Sequence, residues 1–332
     1  MQTGSTSGPA PPGTGNELRE PPAAVVAVGA LAWLQRLLAL AVTLSAIGWL
    51  IGWWQHSRAL ALAGFLAIAL IHAWFLAIEF AVCWKVNRAE TEPHLPPASA
   101  LSLCRAWLGE CVMTPRVFYW RQPFFSRAIA DQLGAAHGRR GVVLVHGLVC
   151  NRGFWNPWLE RLQRENRAFV AVNLEPIFGS IDDYAPALEQ AIQQVTQATG
   201  LAPLLVCHSM GGLVARAWLR VVGDGATLRV HRIVTIGTPH HGSWIARWSR
   251  QTNGQQMRLE SQWLTELRAS EPPGRYQLFT CWHSNADNIV FPSQTASLPG
   301  ADNRFVAGVP HLALAFRPEV IEHALSLIET TE

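Results

Sequence analysis

The sequence contains almost no lysine: Lys85 is the only one among 332 residues, and it lies at the end of a long apolar run. Schiff-base and pyridoxal chemistry need a catalytic lysine, so the polar part of the chain has no candidate for them. Internal repeats, phosphate-cradling glycine loops and dinucleotide fingerprints are also absent from the sequence. The net charge of +3 is small and spread along the chain, so nucleic acid is not expected as a partner.

The cysteines are few and scattered, with one in an apolar run and two in candidate strands. Such a distribution does not predict a disulfide framework, and the spacing does not match that of metal ligands. No metal site is therefore predicted. The cysteines are Cys83, Cys104, Cys111, Cys150, Cys207 and Cys281.

Two long apolar runs follow a tail over residues 1–22, which is rich in Gly, Ser, Thr and Pro and cannot build a core. Residues 37–54 contain no charged side chain, and a helix of that length spans about 27 Å, close to the hydrocarbon thickness of a bilayer. A second run covers residues 59–84. We therefore predict a membrane segment over 23–85 with a hairpin of two helices, and the alternative is a soluble helical domain packed on the rest of the chain.

Two polar residues, His72 and Glu79, interrupt the second run, and polar groups at membrane depth are costly. They are expected to face the partner helix or to lie near the interface. Basic residues around the runs favour both ends of the hairpin on the cytoplasmic side of a membrane. Arg19 and Arg36 precede the runs and Lys85 and Arg88 follow them, against Arg58 alone in the loop between the runs.

The remainder of the chain is predicted to be a linker with a short amphipathic helix over 86–112 and one domain over 113–332. In this domain, apolar runs typical of strands alternate with helical stretches, which predicts an α/β fold with a doubly wound, mainly parallel sheet. The predicted strands lie near 142–146, 168–173, 203–207, 232–236, 276–282 and 303–307. The predicted helices lie around 154–165, 184–198, 211–222 and 317–329.

The most informative stretch, residues 204–216, runs from an apolar strand through a serine and two glycines into a helix. Such a turn, called a nucleophile elbow, exposes the serine hydroxyl at the edge of a sheet. Ser209 is therefore the predicted nucleophile, and the alternative is an ordinary loop with a buried serine. Cys207 replaces the first glycine of the usual Gly-x-Ser-x-Gly pattern, where a small residue lets strand and helix approach each other.

An oxyanion hole takes one N–H group from the residue after the nucleophile and another from a loop that follows an earlier strand. The backbone N–H groups of Met210 and Leu148 are the predicted donors. His146 is assigned no proton transfer, and a structural role is its alternative. Together with Gly147 and His208, it is predicted to line the binding site.

A serine hydroxyl needs a histidine to accept its proton and a carboxylate to orient that histidine. Asp287 lies in a loop after a predicted strand, and His311 lies just beyond the last strand. Both partners must lie at the carboxyl ends of strands to reach Ser209, and the competing acidic residues precede strands or cap helices. Asp287 and His311 are therefore the predicted acid and base.

The longest excursion from the alternating pattern covers residues 240–270. Its tryptophans and leucines recur every fourth residue, which indicates helices with one apolar face. We predict a cap that covers the site, with His240, Trp244 and Trp248 in the binding surface. The alternative is that these residues only pack onto the sheet.

Several of these segments together resemble the α/β-hydrolase superfamily. They are His146-Gly147, His208-Ser209-Met210-Gly211-Gly212, the block Thr235 to Ser243, the Asp287 loop and His311. Within the superfamily they resemble the branch of bacterial triacylglycerol lipases, esterases and lipid-remodelling deacylases. The resemblance covers about residues 113–330 and implies hydrolysis of carboxyl esters without a cofactor.

The sequence thus predicts a membrane-anchored serine hydrolase of acyl lipids or other apolar esters, with Ser209, His311 and Asp287 as its triad. A multi-pass protein of the bacterial inner membrane, with the catalytic domain on the cytoplasmic side, is the expected placement. An acyltransferase or thioesterase with the same triad is one alternative. A catalytically silent hydrolase fold that serves as a membrane-tethered interaction module is another.

Overall fold

A computed structural model describes residues 29–89, 96–134 and 137–329, so the predicted tail over 1–22 lies outside the described residues. The described part contains one parallel sheet of six strands, and helices lie on both of its faces. The strands are β1 (Val142–Val145), β2 (Phe169–Val172), β3 (Leu204–His208), β4 (Arg232–Ile236), β5 (Phe279–His283) and β6 (Asp302–Phe305).

Among the described residues, five α-helices precede the first strand of the sheet and seven follow it. They are α1 (Ala30–Trp54), α2 (Arg58–Ala69), α3 (Ile71–Ala89), α4 (Ala100–Thr114), α5 (Gln122–Phe125), α6 (Asn156–Arg164), α7 (Ala185–Thr199), α8 (Met210–Val222), α9 (Thr252–Gln256), α10 (Gln262–Ala269), α11 (His311–Leu314) and α12 (Pro318–Glu329). A π-helix, Pro115–Arg121, joins α4 to α5.

The strand order is β2-β1-β3-β4-β5-β6, and every neighbouring pair is parallel. The order of connection reverses between β1 and β3, which is where open sheets of this kind leave a crevice at the carboxyl ends of their strands. The doubly wound α/β fold predicted from the sequence is confirmed. This topology brings the ends of β1 and β3, and with them Gly147 and Ser209, to one place.

Alternating side chains of the central strands enter two separate cores. Val143 and Val145 pack with α7 and α8 on one face, while Val142 and Leu144 pack with α6 and α12 on the other. Both faces are therefore covered, which explains why these strands are continuous apolar runs. The edge strand β6 is mostly exposed, and its polar sequence is typical of a protected sheet edge.

Helix α1 begins against the domain that contains the sheet, and α1 and α2 expose most of their apolar side chains. Near the start of α1, Gln35 Nε2 donates to Gln122 Oε1 (2.7 Å) and Arg36 Nε donates to the Pro123 carbonyl (2.7 Å). Farther along, α1 packs against α2, and Trp49 Nε1 donates to the Leu60 carbonyl at 3.0 Å. Most leucine, isoleucine and tryptophan side chains of these two helices are exposed. Among the described residues, α1 alone is a single helix long and apolar enough to span a membrane.

The second helix, predicted over 59–84, is bent in the structure, and the hairpin of two membrane helices stays a prediction. The run is broken at Leu70 into α2 and α3, which meet at an angle of 57°. The two halves have different partners, because α2 packs on α1 whereas α3 buries Leu76, Phe80 and Cys83 against the rest of the protein. The domain boundaries at 23–85, 86–112 and 113–332 stay a prediction.

Candidate active site

Ser209 lies on a sharp turn between β3 and α8, with backbone angles of φ 54° and ψ −127°. A side-chain-bearing residue rarely adopts this conformation, and the surrounding structure must hold it. Two hydrogen bonds do so here: the Ser209 N–H donates to the Ile236 carbonyl (2.9 Å), and the Thr238 hydroxyl donates to the Ser209 carbonyl (2.8 Å). The sequence block after β4 therefore fixes the elbow predicted after β3.

Close backbone packing explains the residues around the elbow. A Cβ atom at Gly211 would lie 2.5 Å from the Val145 carbonyl oxygen, so only glycine fits between α8 and the end of β1. Cys207 is fully buried in β3, beside Val145 of β1 and Thr235 of β4. The turn thus forms with cysteine at the first position of the pattern.

Asp287 and His311 meet through a buried hydrogen bond from His311 Nδ1 to Asp287 Oδ2 of 2.9 Å. The other carboxylate oxygen, Oδ1, accepts from the backbone N–H groups of Ile289 (2.9 Å) and Val290 (2.7 Å). The carboxylate is therefore fixed by its own loop and aimed at the imidazole. Gly237, with φ +56°, leaves room for this carboxylate, because a Cβ atom there would lie 2.9 Å from Asp287 Oδ2.

The protonation of His311 is set by opposing influences. Burial lowers the pKa of the imidazole, but the charge and hydrogen bond of Asp287, together with the charges of Glu110 and Glu79, raise it above its ordinary value. With Nδ1–H donating to Asp287, the neutral ring presents Nε2 as an acceptor, which is the tautomer that a general base needs.

A cavity of about 440 Å³ lies at the carboxyl ends of the strands, and both Ser209 and His311 line it. Within the described residues, no hydrogen bond joins the Ser209 hydroxyl to the His311 ring; such bonds commonly tighten only when a substrate is bound. Most of the wall is apolar. The remaining lining residues are Ile71, His72, Phe75, Leu76, Glu79, Glu110, Thr114, Phe118, Tyr119, Gly147, Leu148, Val149, Cys150, His208, Asn288, Ile289 and Leu312.

The two predicted oxyanion donors follow different strands, β1 and β3. Leu148 follows β1 and lines the cavity, and Met210 is the first residue of α8. Within the described part of the chain, neither backbone N–H donates a hydrogen bond to a protein group. Their role stays a prediction.

Glu110 of α4 is a buried carboxylate in this cavity that the sequence did not indicate. Its Oε1 accepts from the Leu312 N–H at 2.9 Å, directly beside His311, while its Oε2 is buried without a hydrogen-bond partner among the described residues. Burial raises the pKa of Glu110 to about 7, although bonds from Leu312 and Ala313 and the charge of His311 oppose that rise. Glu110 thus holds the first turn of α11, on which His311 lies.

Glu79 of α3 reaches the same histidine through an asparagine. Asn288 Nδ2 donates to Glu79 Oε2 (2.8 Å), and Asn288 Oδ1 accepts from the His311 backbone N–H (3.3 Å). Farther along α3, the Cys83 thiol donates to the Asp287 carbonyl at 3.2 Å. Helices α3 and α4 therefore contact the loops of both Asp287 and His311.

Comparison with known proteins agrees with this geometry. Residues 142–325, more than half of the chain, match the model of the alpha/beta hydrolase family. The chain belongs to this family. No curated protein sequence matches it.

Solved structures with the same fold include lipases. The mature form of the Bacillus licheniformis lipase BlEst2 is 19% identical, with a TM-score of 0.51 over 58% of this chain and 94% of that one. Its propeptide form is also 19% identical, with a TM-score of 0.51 over 60% and 52%. Aspergillus fumigatus lipase B is 18% identical, with a TM-score of 0.47 over 55% and 51%. This hydrolase spans about half the length of the last two. At 19% identity, the likeness to the two BlEst2 structures concerns the fold alone.

Of the residues predicted to line the binding site of the hydrolase, Gly147 and His208 do line the cavity that contains Ser209. The His208 ring stacks on Phe154 at 4.5 Å, and its Nε2 lies 3.2 Å from the His311 carbonyl oxygen. His208 therefore holds the backbone of His311 in place. Burial lowers its pKa well below the ordinary value, so the ring is neutral.

The other four, His146, His240, Trp244 and Trp248, do not line this cavity. His146 Nδ1 lies 2.9 Å from the Gly147 carbonyl oxygen and its Nε2 accepts from the Leu174 N–H (3.2 Å). Burial lowers its pKa to about 4. These contacts favour the structural alternative for His146, whose place in the binding site stays a prediction.

His240 is also structural in this hydrolase, because its Nε2 lies 3.0 Å from the Thr235 hydroxyl and its carbonyl accepts from the buried guanidinium of Arg216. Trp244 packs on Trp248 (4.8 Å between ring centroids) and on Phe291. Trp248 is 63% exposed. The structure thus places Trp244 and Trp248 outside the cavity of Ser209, and the cap over 240–270 stays a prediction.

Helices α3 and α4 and the π-helix cover the cavity and supply about half of its lining.

Glu79 gave a signal in the sequence, as a charge inside an apolar run. Glu110 gave none. Thr238 and Asn288 lie in segments that carry the family resemblance, but the sequence did not indicate their contacts, because the role of a polar residue depends on its surroundings. Among the described residues, no group of three or more His, Cys, Asp or Glu side chains is arranged to hold a metal ion.

Proposed function

We propose that this protein is a serine hydrolase that cleaves carboxyl esters of acyl lipids. In this proposal, helices α1 and α2 anchor the protein in a membrane. One observation carries the proposal. Ser209, on a strained elbow, shares an apolar cavity with an imidazole that is oriented by a buried carboxylate 2.9 Å away. Strand-end placement of all three residues supports the same assignment.

The first half of the reaction forms an acyl-enzyme. Ser209 Oγ attacks the ester carbonyl carbon while His311 Nε2 takes the hydroxyl proton, and Asp287 stabilises the resulting imidazolium. Negative charge moves to the carbonyl oxygen, where the N–H groups of Leu148 and Met210 donate to it. The carbon–oxygen bond to the alcohol then breaks, and His311 returns its proton to the departing alkoxide.

The second half uses water in the same way. His311 takes a proton from the water as its oxygen attacks the acyl carbon, and the tetrahedral intermediate again places its charge at the two N–H groups. The bond to Ser209 breaks and the serine oxygen regains the proton. A free carboxylic acid is the product, and no cofactor takes part.

An acyl lipid is the substrate class that best fits the surroundings. The cavity wall is mainly apolar, as in sites that bind hydrocarbon groups. The exposed apolar side chains of α1 and α2, and the length of α1, support a membrane as the source of substrate. A cytoplasmic orientation of the catalytic domain stays a prediction from the positions of the basic residues.

The test is product analysis with the purified protein in detergent or lipid nanodiscs. We expect p-nitrophenyl esters and monoacylglycerols to yield free acid, and added alcohols or thiols to leave that yield unchanged. Transfer of most acyl groups to the added alcohol or thiol would instead identify an acyltransferase. Absence of any acyl release from a folded sample would contradict the proposal.

A further inference from the structure

A second apolar space lies beside the cavity of Ser209. It is bordered by α1, α2 and the π-helix. It is a groove of about 570 Å³. One wall comes from the face of α1 that carries Ala39, Thr43 and Ile47, residues spaced by four and therefore stacked along the helix. The opposite wall includes Phe65 and Ala69 of α2. We call this space the α1–α2 groove.

The groove adjoins the catalytic cavity at two places. Tyr119 of the π-helix lines both spaces. At the break between α2 and α3, Ala69 lines the groove and Ile71 lines the cavity, with only Leu70 between them. The Tyr119 ring lies edge-on to His72, whose centroid is 6.3 Å away. One side chain and one helix bend thus separate the space around Ser209 from the groove.

The lining of the groove suits a hydrocarbon chain. The Thr43 hydroxyl donates to the Ala39 carbonyl of its own helix at 2.8 Å, so it offers no donor to a ligand. Arg36 is the one charged residue of the lining within the described residues. Its Nε donates to Pro123, and its guanidinium lies over the rings of Trp33 (5.0 Å) and Phe124 (5.3 Å). A polar ligand would find few partners, whereas an acyl chain needs none.

We propose that the α1–α2 groove holds the distal part of a long acyl chain whose ester carbonyl lies at Ser209. The inference rests on the proposed function and extends it to a preference for long acyl chains. The shared wall at Tyr119 places the groove next to the cavity of the nucleophile, which favours the substrate's own chain over an unrelated lipid or a second copy of the protein. The bend at Leu70 then has a role, because it lets α2 follow the groove while α3 covers the catalytic residues.

The first test fills the groove and compares chain lengths. In Ala39→Trp and Ala69→Trp, a large side chain occupies the path, so kcat/KM for hexadecanoyl esters falls by about tenfold or more while that for butanoyl esters is retained. Ala41→Trp is the matched control, because Ala41 is exposed on the same helix and does not line the groove. Equal changes for both chain lengths, or selective loss in Ala41→Trp alone, would overturn the inference.

The second test does not depend on turnover. A hexadecyl fluorophosphonate with a diazirine at the chain end is attached to Ser209 in lipid nanodiscs and irradiated. We expect cross-links within α1 residues 36–47 or at Tyr119 and Phe124. Cross-links only to the outer apolar surface between α3 and α4, near Trp84 and Trp107, would overturn the inference.

The outcomes separate this inference from the proposed function. Butanoyl ester hydrolysis that requires Ser209, with no chain-length effect in the groove variants, contradicts the groove alone. Absence of ester hydrolysis and of Ser209 labelling in the folded wild-type protein contradicts the proposed function, and the groove inference falls with it. Retained butanoyl ester activity also shows that a groove variant is folded.

Discussion

Two regions with apolar helical faces lie outside the sheet, and they differ in what they contact. The amino-terminal helices α3 and α4 cover the catalytic cavity and bond to the loops of Asp287 and His311. Residues 240–270, which the sequence favours as a cap, pack beside the elbow and onto α3, and their Trp244 and Trp248 stay outside the cavity. Periodicity identifies an apolar face, but it does not identify the surface that this face covers.

The comparison also assigns two roles to the amino-terminal region. Its outer surface is apolar, as in helices that face lipid, whereas its inner surface carries two carboxylates that hold the loop of His311. An anchor alone would not need the second feature. The amino-terminal helices are therefore expected to change catalysis when altered, and residues 240–270 much less.

The largest expected effect sets the scale for this comparison. Ser209→Ala removes the attacking oxygen and should lower kcat by about four to six orders of magnitude, because members of a triad act as a unit. The measurement is release of p-nitrophenol from a butanoyl ester, with circular dichroism to confirm the fold. A loss of less than about tenfold would contradict the role of Ser209.

Asp287→Asn should cost slightly less, about four orders of magnitude in kcat. The amide keeps an acceptor for the Ile289 and Val290 N–H groups but no longer favours the tautomer of His311 that accepts the serine proton. The same assay, read above pH 8 where hydroxide assists, should show partial recovery. An unchanged rate at neutral pH would show that another group orients the base.

Glu110→Ala tests the contribution of the amino-terminal helices. Removal of the acceptor leaves the buried Leu312 N–H unpaired beside His311, and misplacement of the base should lower kcat by about 10- to 100-fold. Steady-state kinetics on a short ester measures the effect, since such a substrate does not depend on the groove. Unchanged kcat would mean that α4 only covers the cavity.

Glu110→Gln separates charge from position, because the amide oxygen can still accept from Leu312. Negative charge on Glu110 raises the pKa of His311, so its removal should lower that pKa. Activity requires the neutral imidazole, so the acid limb of kcat/KM should move to lower pH in Glu110→Gln than in the wild type. A shift to higher pH, or a kcat loss as large as that of Glu110→Ala, would contradict this account.

The smallest effect is expected in the region first predicted to be the cap. Trp248→Ala removes a mostly exposed ring that lies outside the cavity, so kcat and KM for short and long esters should stay within about twofold. Kinetics with both chain lengths provides the check. A selective loss of kcat/KM for long esters would indicate that residues 240–270 contribute to the binding surface.

The parts predictable from the sequence are those fixed by local backbone geometry. The strand-turn-helix pattern around Ser209 indicates its position, and residues that follow strands in a parallel sheet meet at one edge, which brings Asp287 and His311 together. The bend at Leu70, the bond from Leu312 to Glu110 and the bond between Asn288 and Glu79 depend on tertiary packing between distant segments. No period or spacing in one sequence encodes such contacts.

The most direct test of the central claim is peptide mapping after reaction of the folded protein with a fluorophosphonate probe. The account predicts a single adduct on Ser209, formed rapidly in the wild type and lost in His311→Ala. A folded protein that does not react, or an adduct on another serine with Ser209 unmodified, would contradict it.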